Sequence, residues 1–142
     1  APAQNGHIVF LGPSGADATA GLEVFAGDLR FGWQQSYSGA WISSGGRQVY
    51  HLVVDTQKVV KSERRTLYHN GLALVSSTAK TPALDEVIGA INDNVLCLGN
   101  RAGGGMPFEG TLLYAALYAT AMTPAVVALH TAVLSQSDDT PQ

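Results

Sequence analysis

Residues 108–134 read FEGTLLYAALYATAMTPAVVALHTAVL, and this stretch decides the fold. Its first part, residues 108–119, is apolar and rich in Leu, Tyr and Ala, which predicts a long β-strand. Thr123 and Pro124 then suit the start of a helix, because Thr caps a first turn and Pro fits the first helical position. The stretch therefore predicts a closing strand followed by one short C-terminal helix.

The composition sets the limits of what surrounds this stretch. The chain has 142 residues, of which 46% are hydrophobic and 13% charged, and this predicts one domain over residues 1–135 followed by a polar tail, 136–142. A net charge of −3 gives no basic footprint for nucleic acid. The apolar run 111–129 has nearly the length of a membrane span, but Pro124 divides it, so no span is expected.

Short β-strands precede the closing stretch. Asn70 and Gly71 supply the pair of positive-φ residues that a tight hairpin turn requires, and residues 21–26 and 28–34 form a second predicted hairpin. Residues 7–11, 48–55 and 95–99 complete a set of seven or eight strands. The sequence thus predicts an all-β, antiparallel, two-sheet sandwich or jelly roll with one short C-terminal helix.

Five short motifs follow one another along the chain. They are YHLVV at 50–54, LYHNG at 67–71, LCLG at 96–99, FEGTL at 108–112 and MTP at 122–124. Their types and order resemble the laminin G-like branch of the concanavalin A-like lectin and glucanase superfamily. The resemblance implies a two-sheet β-sandwich whose rim loops bind ligands.

One departure from that resemblance concerns the opening of the chain. Members of the family begin with an additional aromatic-rich strand before the one that residues 8–11 match, and only residues 1–6 stand there. A sheet edge is therefore expected to be exposed, or filled by a strand from a larger polypeptide or an assembly partner. The small residues at the start suit a mature end after export, which predicts an extracellular or periplasmic location.

The acidic residues, histidines and cysteine of the chain do not have the spacing of a catalytic or metal site. A retaining glycosidase on this sandwich needs two carboxylates about 5 Å apart, on one face of a strand. Glu23 and Asp28 straddle a turn, and no acidic pair has that spacing. The four histidines show no metal-ligand spacing, and the single cysteine, Cys97, lies in an apolar run that predicts a buried, inert thiol. The chain is predicted not to be an enzyme.

A calcium site is implied by the resemblance alone. Laminin G-like domains often hold Ca²⁺ at the rim of the sandwich through Asp, Asn and backbone oxygens. Asp17 and either Asn92 or Asp93 stand at roughly matching positions and are the candidate ligands. Turn residues selected for local hydrogen bonds explain the same three positions equally well.

A glycan site would need an aromatic platform and a few planar polar groups. Trp33, Tyr37, Trp41, Arg101 and Asn100 are the candidate ligand-binding residues. Trp33 also continues a period-two apolar pattern and is as readily explained as a core residue. Trp41, in a loop rich in Ser and Gly, is the stronger candidate.

Two functions from different classes remain open at this point. The first is a non-catalytic recognition module that binds a glycan or a protein surface through its rim loops. The second is a structural domain that docks within a larger secreted or periplasmic polypeptide or complex and binds no small ligand. A sandwich hydrolase ranks third, because its paired carboxylates are missing.

Overall fold

The computed structural model describes residues 6–13, 20–25, 28–31, 35–37, 46–55, 57–60, 64–74, 94–100 and 103–136. Within them the chain forms strands in two small antiparallel sheets and one helix, which confirms the β-rich prediction. The elements are β1 (Gly6–Pro13), β2 (Ala20–Phe25), β3 (Asp28–Phe31), β4 (Gln35–Tyr37), β5 (Tyr50–Val54), β6 (Arg65–His69), β7 (Leu72–Ala73), β8 (Asn94–Leu98) and α1 (Pro124–Leu134). The chain divides into two compact units. Unit 1 contains Ala1–Trp41 and Val75–Leu117, and unit 2 contains Ile42–Leu74 and Tyr118–Gln142.

Unit 1 contains a five-stranded sheet in the order β4-β3-β2-β1-β8. The hairpin predicted around residues 26–28 is present as the β2–β3 pair. Of the strand predicted over 28–34, residues 28–31 form β3 and residues 32–34 lie outside the described residues, and a further strand, β4, follows at 35–37. The buried apolar side chains of this sheet lie on both of its faces, because the register pairs Phe10 with Gly21, whereas Leu22 and Val24 on the same strand as Gly21 point the other way. They are Ile8, Phe10, Leu22, Val24 and Leu29, all buried.

A polar pair crosses the β1–β2 interface beside this core. His7 lies opposite Glu23 in the register, and its Nε2 atom is 3.5 Å from Oε2 of Glu23. The His7 ring also meets the Phe10 ring edge-on, with the two centroids 5.4 Å apart. The His7 ring is thus held by the approach to Glu23 and by packing against Phe10.

Unit 2 contains a three-stranded sheet in the order β5-β6-β7. The predicted turn at Asn70 and Gly71 joins β6 to β7, and both residues have positive φ, 48° and 83°, as a tight hairpin requires. The backbone of Asn70 also donates to the carbonyl of Val49 at 2.8 Å, which ties the turn to the residue before β5. Val49, Leu67 and Tyr68 are the buried apolar residues of the sheet.

Helix α1 begins where the sequence predicts. Thr123 is its N-cap, with Oγ1 accepting from the backbone N–H of Val126 at 3.4 Å, and Pro124 is the first helical residue. At the other end, Nη1 of Arg47 donates to the carbonyls of Leu134 and Gln136, at 3.2 and 2.7 Å. These bonds satisfy carbonyls that a helix C-terminus leaves free and place a cation at the negative end of the dipole.

The helix buries only a narrow strip. Val127 and Thr131 are its buried residues, and Thr131 lies beside the Asn70–Gly71 turn. The hydroxyl of Thr131 donates to the carbonyl of Val127 at 2.9 Å, so its polar atom is satisfied within the helix. No helix in the described part of the chain is long and apolar enough to cross a membrane.

The predicted closing strand over residues 108–119 is the main correction. The described chain forms no strand between β8 and α1. Residues 106–108 still approach the sheet, since the N–H of His7 donates to Met106 O at 3.2 Å and the N–H of Phe108 donates to Gly99 O at 2.8 Å. From residue 110 the chain leaves the sheet with its apolar side chains exposed. An apolar, β-branched or aromatic pattern predicts a strand only if another strand is there to accept its backbone hydrogen bonds.

Candidate functional site

Unit 1 exposes an uncharged apolar surface, formed by β8 and by residues 110–117. Its seven large side chains are between 38% and 76% exposed. They are Val95, Leu96, Leu98, Leu112, Leu113, Tyr114 and Leu117. The two stretches meet at the end of β8, where Leu112 Cδ1 lies 3.9 Å from the position that a Cβ of Gly99 would occupy. We call these seven residues the apolar surface.

Exposure of these apolar side chains to water is unfavourable in free energy. Each side chain of this size gains about 1.5–3 kcal/mol when it is fully buried, so a contact that covers several of them is strongly favoured. Single exposed apolar residues are ordinary, but many large apolar side chains exposed along two neighbouring stretches mark a binding surface or an aggregation hazard. Residues 94–100 and 110–117 contain no charged side chain that would oppose such a contact.

Unit 2 carries a second candidate site, a polar cluster made of Gln48, Tyr50, His69 and Asn70. The β5–β6 register places Tyr50 opposite His69, and their rings stack with centroids 4.8 Å apart and planes inclined by 12°. Oε1 of Gln48 lies 2.7 Å from Nε2 of His69 and 2.9 Å from Nδ2 of Asn70. Two planar amides therefore converge on the edge of an aromatic stack.

The hydrogen bonds of this polar cluster are consistent with one tautomer of His69. An amide oxygen only accepts, so the 2.7 Å contact with Gln48 Oε1 requires a proton on Nε2 of His69. Asn70 Nδ2 then donates to the same Gln48 oxygen, and its 3.1 Å approach to His69 Nε2 brings two donors together without a bond. Burial lowers the pKa of His69, which favours this neutral ring.

Asn70 also has a structural task in the polar cluster. Its Oδ1 atom accepts from the backbone N–H of Val49 at 2.9 Å. The side chain thus closes the turn onto the segment before β5, while its surface stays exposed. These hydrogen bonds restrain the side chains of the cluster, and restraint before binding lowers the entropic cost of holding a ligand.

A third group of rings lies between β5 and α1. The His51 ring is 5.9 Å from the His130 ring, and Tyr118 meets His130 edge-on at 5.4 Å. Nδ1 of His51 is buried, and no hydrogen-bond partner for it occurs in the part of the chain that the structure describes. Burial and the nearby His130 together lower the pKa of His51, so the neutral ring is the stable form.

The two histidines with lowered pKa make unit 2 sensitive to acid. A group whose pKa falls below its ordinary value of 6.5 on folding binds protons more tightly in the unfolded chain. The contribution of neutral His51 and His69 to the free energy of unfolding is therefore complete above pH 6.5. It is lost as the pH falls toward the pKa values that the two histidines have in the folded chain. We expect urea unfolding of the wild type to show lower stability at about pH 5.5 than at about pH 7.5.

The variants His51→Asn and His69→Asn separate this effect from other titrations. Asn does not titrate, so each variant should lose less stability than the wild type between the two pH values. Carboxylates that titrate in the same range affect all three proteins alike. Equal pH dependence in the wild type and both variants would contradict the assignment.

Most of the ligand residues predicted from the sequence lie outside the described residues. These are Trp33, Trp41 and Arg101, together with the candidate calcium ligands Asp17, Asn92 and Asp93. Tyr37 ends β4, with only its backbone described. Asn100 is described, and its Oδ1 atom accepts from the backbone N–H of Met106 at 3.2 Å, which ties the two residues together across residues 101–105.

The described residues offer no alternative metal centre. Among them, no group of three or more His, Cys, Asp and Glu side chains lies close enough together to hold a metal ion. Cys97 is partly exposed on β8, beside the apolar surface, rather than fully buried. The calcium site therefore stays a prediction that concerns Asp17, Asn92 and Asp93.

Neither the polar cluster nor the apolar surface is predicted from the sequence, and each has a physical reason. The motif LYHNG contains His69 and Asn70, but only the β5–β6 register brings Gln48 and Tyr50 beside them. The apolar surface lies in residues that were predicted to be paired strands. Its signal in the sequence is that residues 112–117 are apolar at successive positions and not only at alternate ones, which indicates a strand covered on both faces.

Comparisons with known proteins add no relative. No protein-family model matches the chain, and no curated protein or solved structure is significantly similar to it. The resemblance to laminin G-like domains rests on the order of five short motifs in the sequence and stays an expectation.

Proposed function

We propose that this chain is a non-catalytic recognition domain that binds a protein partner through its apolar surface. The observation that carries the proposal is the exposure of seven large, uncharged apolar side chains on β8 and residues 110–117. A glycan presents many hydroxyl groups, and this surface has few polar side chains to pair with them. A protein segment with apolar side chains is the better complement.

The proposal includes the arrangement of the fold. Two antiparallel sheets and a Thr-Pro helix after the last strand support a β-sandwich of the laminin G-like type. In such a sandwich, residues 111–117 would lie in a sheet with both faces covered, which fits their composition. A partner strand would then complete a structure that the chain alone leaves open, and this supports docking within a larger secreted or periplasmic assembly.

Carbohydrate binding is the second candidate, and the polar cluster favours it. Gln48, Tyr50, His69 and Asn70 combine stacked rings with two amides, which is the chemistry that glycan recognition uses. Binding on a glycan array that is lost in Gln48→Ala but kept in Leu113→Lys would support this candidate.

Calorimetric titration of chelator-treated protein with Ca²⁺ tests the metal site at Asp17, Asn92 and Asp93 in the same preparation.

The docking proposal is tested with peptides selected on the wild-type protein. A displayed library of random peptides of about ten residues, the upper length of an ordinary strand, serves as the probe. We expect selected peptides to be apolar and to lose about tenfold or more in affinity for Leu113→Lys and for Leu117→Lys, because a buried ammonium has no partner on this surface.

Val59→Lys is the matched control for these variants. Val59 is 93% exposed but lies in unit 2, away from β8 and residues 110–117 in the sequence. Val59→Lys likewise replaces an exposed apolar side chain by Lys, but outside the apolar surface. The affinity of the selected peptides for this variant should therefore be unchanged. Equal binding by all three variants, or failure to select any peptide, would overturn the proposal.

A further inference from the structure

We propose that the partner binds by β-strand addition: an extended, uncharged, apolar segment of another polypeptide pairs with the outer edge of β8. This inference rests on the proposed function and specifies the form of its partner. Within the described chain, β8 is the last strand of the five-stranded sheet, next to β1 on one side only. A strand at the edge of a sheet offers a ready template for another extended chain.

The register identifies the backbone groups that face outward. The N–H of Gly99 donates to the carbonyl of Ile8 at 2.9 Å, which continues the β1–β8 register beyond Leu98. In an antiparallel pair, alternate residues direct both backbone groups to the partner strand. The N–H of Gly99 and the backbone groups of Cys97 therefore face β1, and the N–H and C=O groups of Leu96 and Leu98 point away from it.

This edge has none of the usual protections against pairing. Edge strands are commonly guarded by Lys, by Pro, by a bulge or by an inward-pointing charge. The sequence of β8, NVLCL, contains neither Lys nor Pro nor any charge, and its pairing with β1 is regular over all five residues. Val95 on one face and Leu96 and Leu98 on the other are all exposed, so an added strand would find apolar neighbours on both faces.

The chemistry of the surroundings selects the occupant. Residues 94–100 and 110–117 provide no charged side chain, so a charged segment would lose its hydration without gaining an ion pair. An uncharged segment rich in Val, Ile, Leu, Tyr or Thr loses little hydration and buries apolar area against Val95, Leu96 and Leu98. Strand β8 of a second copy of this chain could pair over five residues at most. This favours a longer segment of another polypeptide as the occupant.

Two substitutions at Leu96 separate strand addition from simple apolar contact. Leu96→Ala removes most of the side chain but keeps the outward N–H, whereas Leu96→Pro also removes that donor. Proline is tolerated on an edge strand where the lost N–H faces solvent, so Leu96→Pro should fold, as its circular dichroism spectrum would show. We expect the selected peptides to bind Leu96→Ala with a loss of about threefold and Leu96→Pro with a loss of about thirtyfold or more.

N-methylation of the selected peptides provides a test that does not depend on the folding of a variant. A strand donates to β8 from alternate residues only. Methylation of one alternate set of N–H groups should abolish binding, and methylation of the other set should change it by less than about threefold. No simple apolar contact produces this period of two.

Each outcome separates the inference from the proposed function. Equal affinity of the peptides for Leu96→Ala and Leu96→Pro, with no period of two on methylation, would overturn strand addition and leave apolar docking intact. Failure to select any peptide would overturn both. A dimer of the wild-type chain that Leu96→Pro dissociates would replace the foreign segment by a second copy and overturn the assigned partner.

Discussion

Phe10→Ala is expected to lower the free energy of unfolding of unit 1 by about 3–5 kcal/mol. Phe10 is on β1, which lies between β2 and β8 in the five-stranded sheet, and its side chain is completely buried. The substitution removes the apolar area of the ring and leaves a cavity that its close-packed surroundings can fill only by distortion. It also removes the edge-on contact with His7.

Chemical denaturation combined with hydrogen exchange of the amides in β1, β2 and β8 measures this loss. Leu96→Ala is the control, because Leu96 lies on the neighbouring strand of the same sheet but is 51% exposed. Its removal should change the stability by no more than about 0.5 kcal/mol. A Phe10→Ala protein as stable as the Leu96→Ala protein would show that the β1–β2–β8 core does not support the unit.

The sequence predicts the elements of the fold best where local chemistry alone determines the conformation. The Asn70–Gly71 turn follows from the need for two positive φ angles, and the start of α1 follows from Thr123 and Pro124. Hairpin β2–β3 follows from period-two apolar patterns on both sides of a turn. None of these features depends on a distant partner.

Residues 108–119 show why a pattern is not sufficient. Their composition favours a strand, but a strand exists only when a neighbour accepts its backbone hydrogen bonds. The described chain provides such a neighbour for Phe108, through Gly99, and none that makes a sheet of residues 110–117. The sequence thus identifies a segment that favours pairing, but its composition does not specify which strand would pair with it.

The candidate sites depend on register more than on motifs. Tyr50 and His69 are separated by a strand connection whose length does not determine how β5 and β6 align, yet their alignment creates the ring stack. The same holds for the outward N–H of Leu96, since a shift of one residue between β1 and β8 would turn it inward. The resemblance to a family therefore indicates candidates on rim loops, whereas strand residues that a sheet brings together depend on a register that the sequence does not specify.

Leu67→Ala is expected to destabilise unit 2 by about 2–5 kcal/mol. Leu67 is on the central strand of the three-stranded sheet, opposite Leu52, and its side chain is completely buried. It lies two residues before His69, on the same face of β6, so its loss leaves a cavity next to the Tyr50–His69 stack. Thermal or urea unfolding, with hydrogen exchange of the β5 and β6 amides, measures the effect.

Leu72→Ala is the matched control for Leu67→Ala. Leu72 lies in the same hairpin and is also a leucine, but it is 74% exposed, so its truncation should cost about 0.5 kcal/mol or less. A second readout connects the core to the polar cluster, because a cavity beside the stack should loosen the rings of Tyr50 and His69 and raise the pKa of His69 toward 6.5. If the two variants are equally stable, or if the His69 titration by NMR is the same in both, Leu67 neither holds the sheet together nor keeps the polar cluster in place.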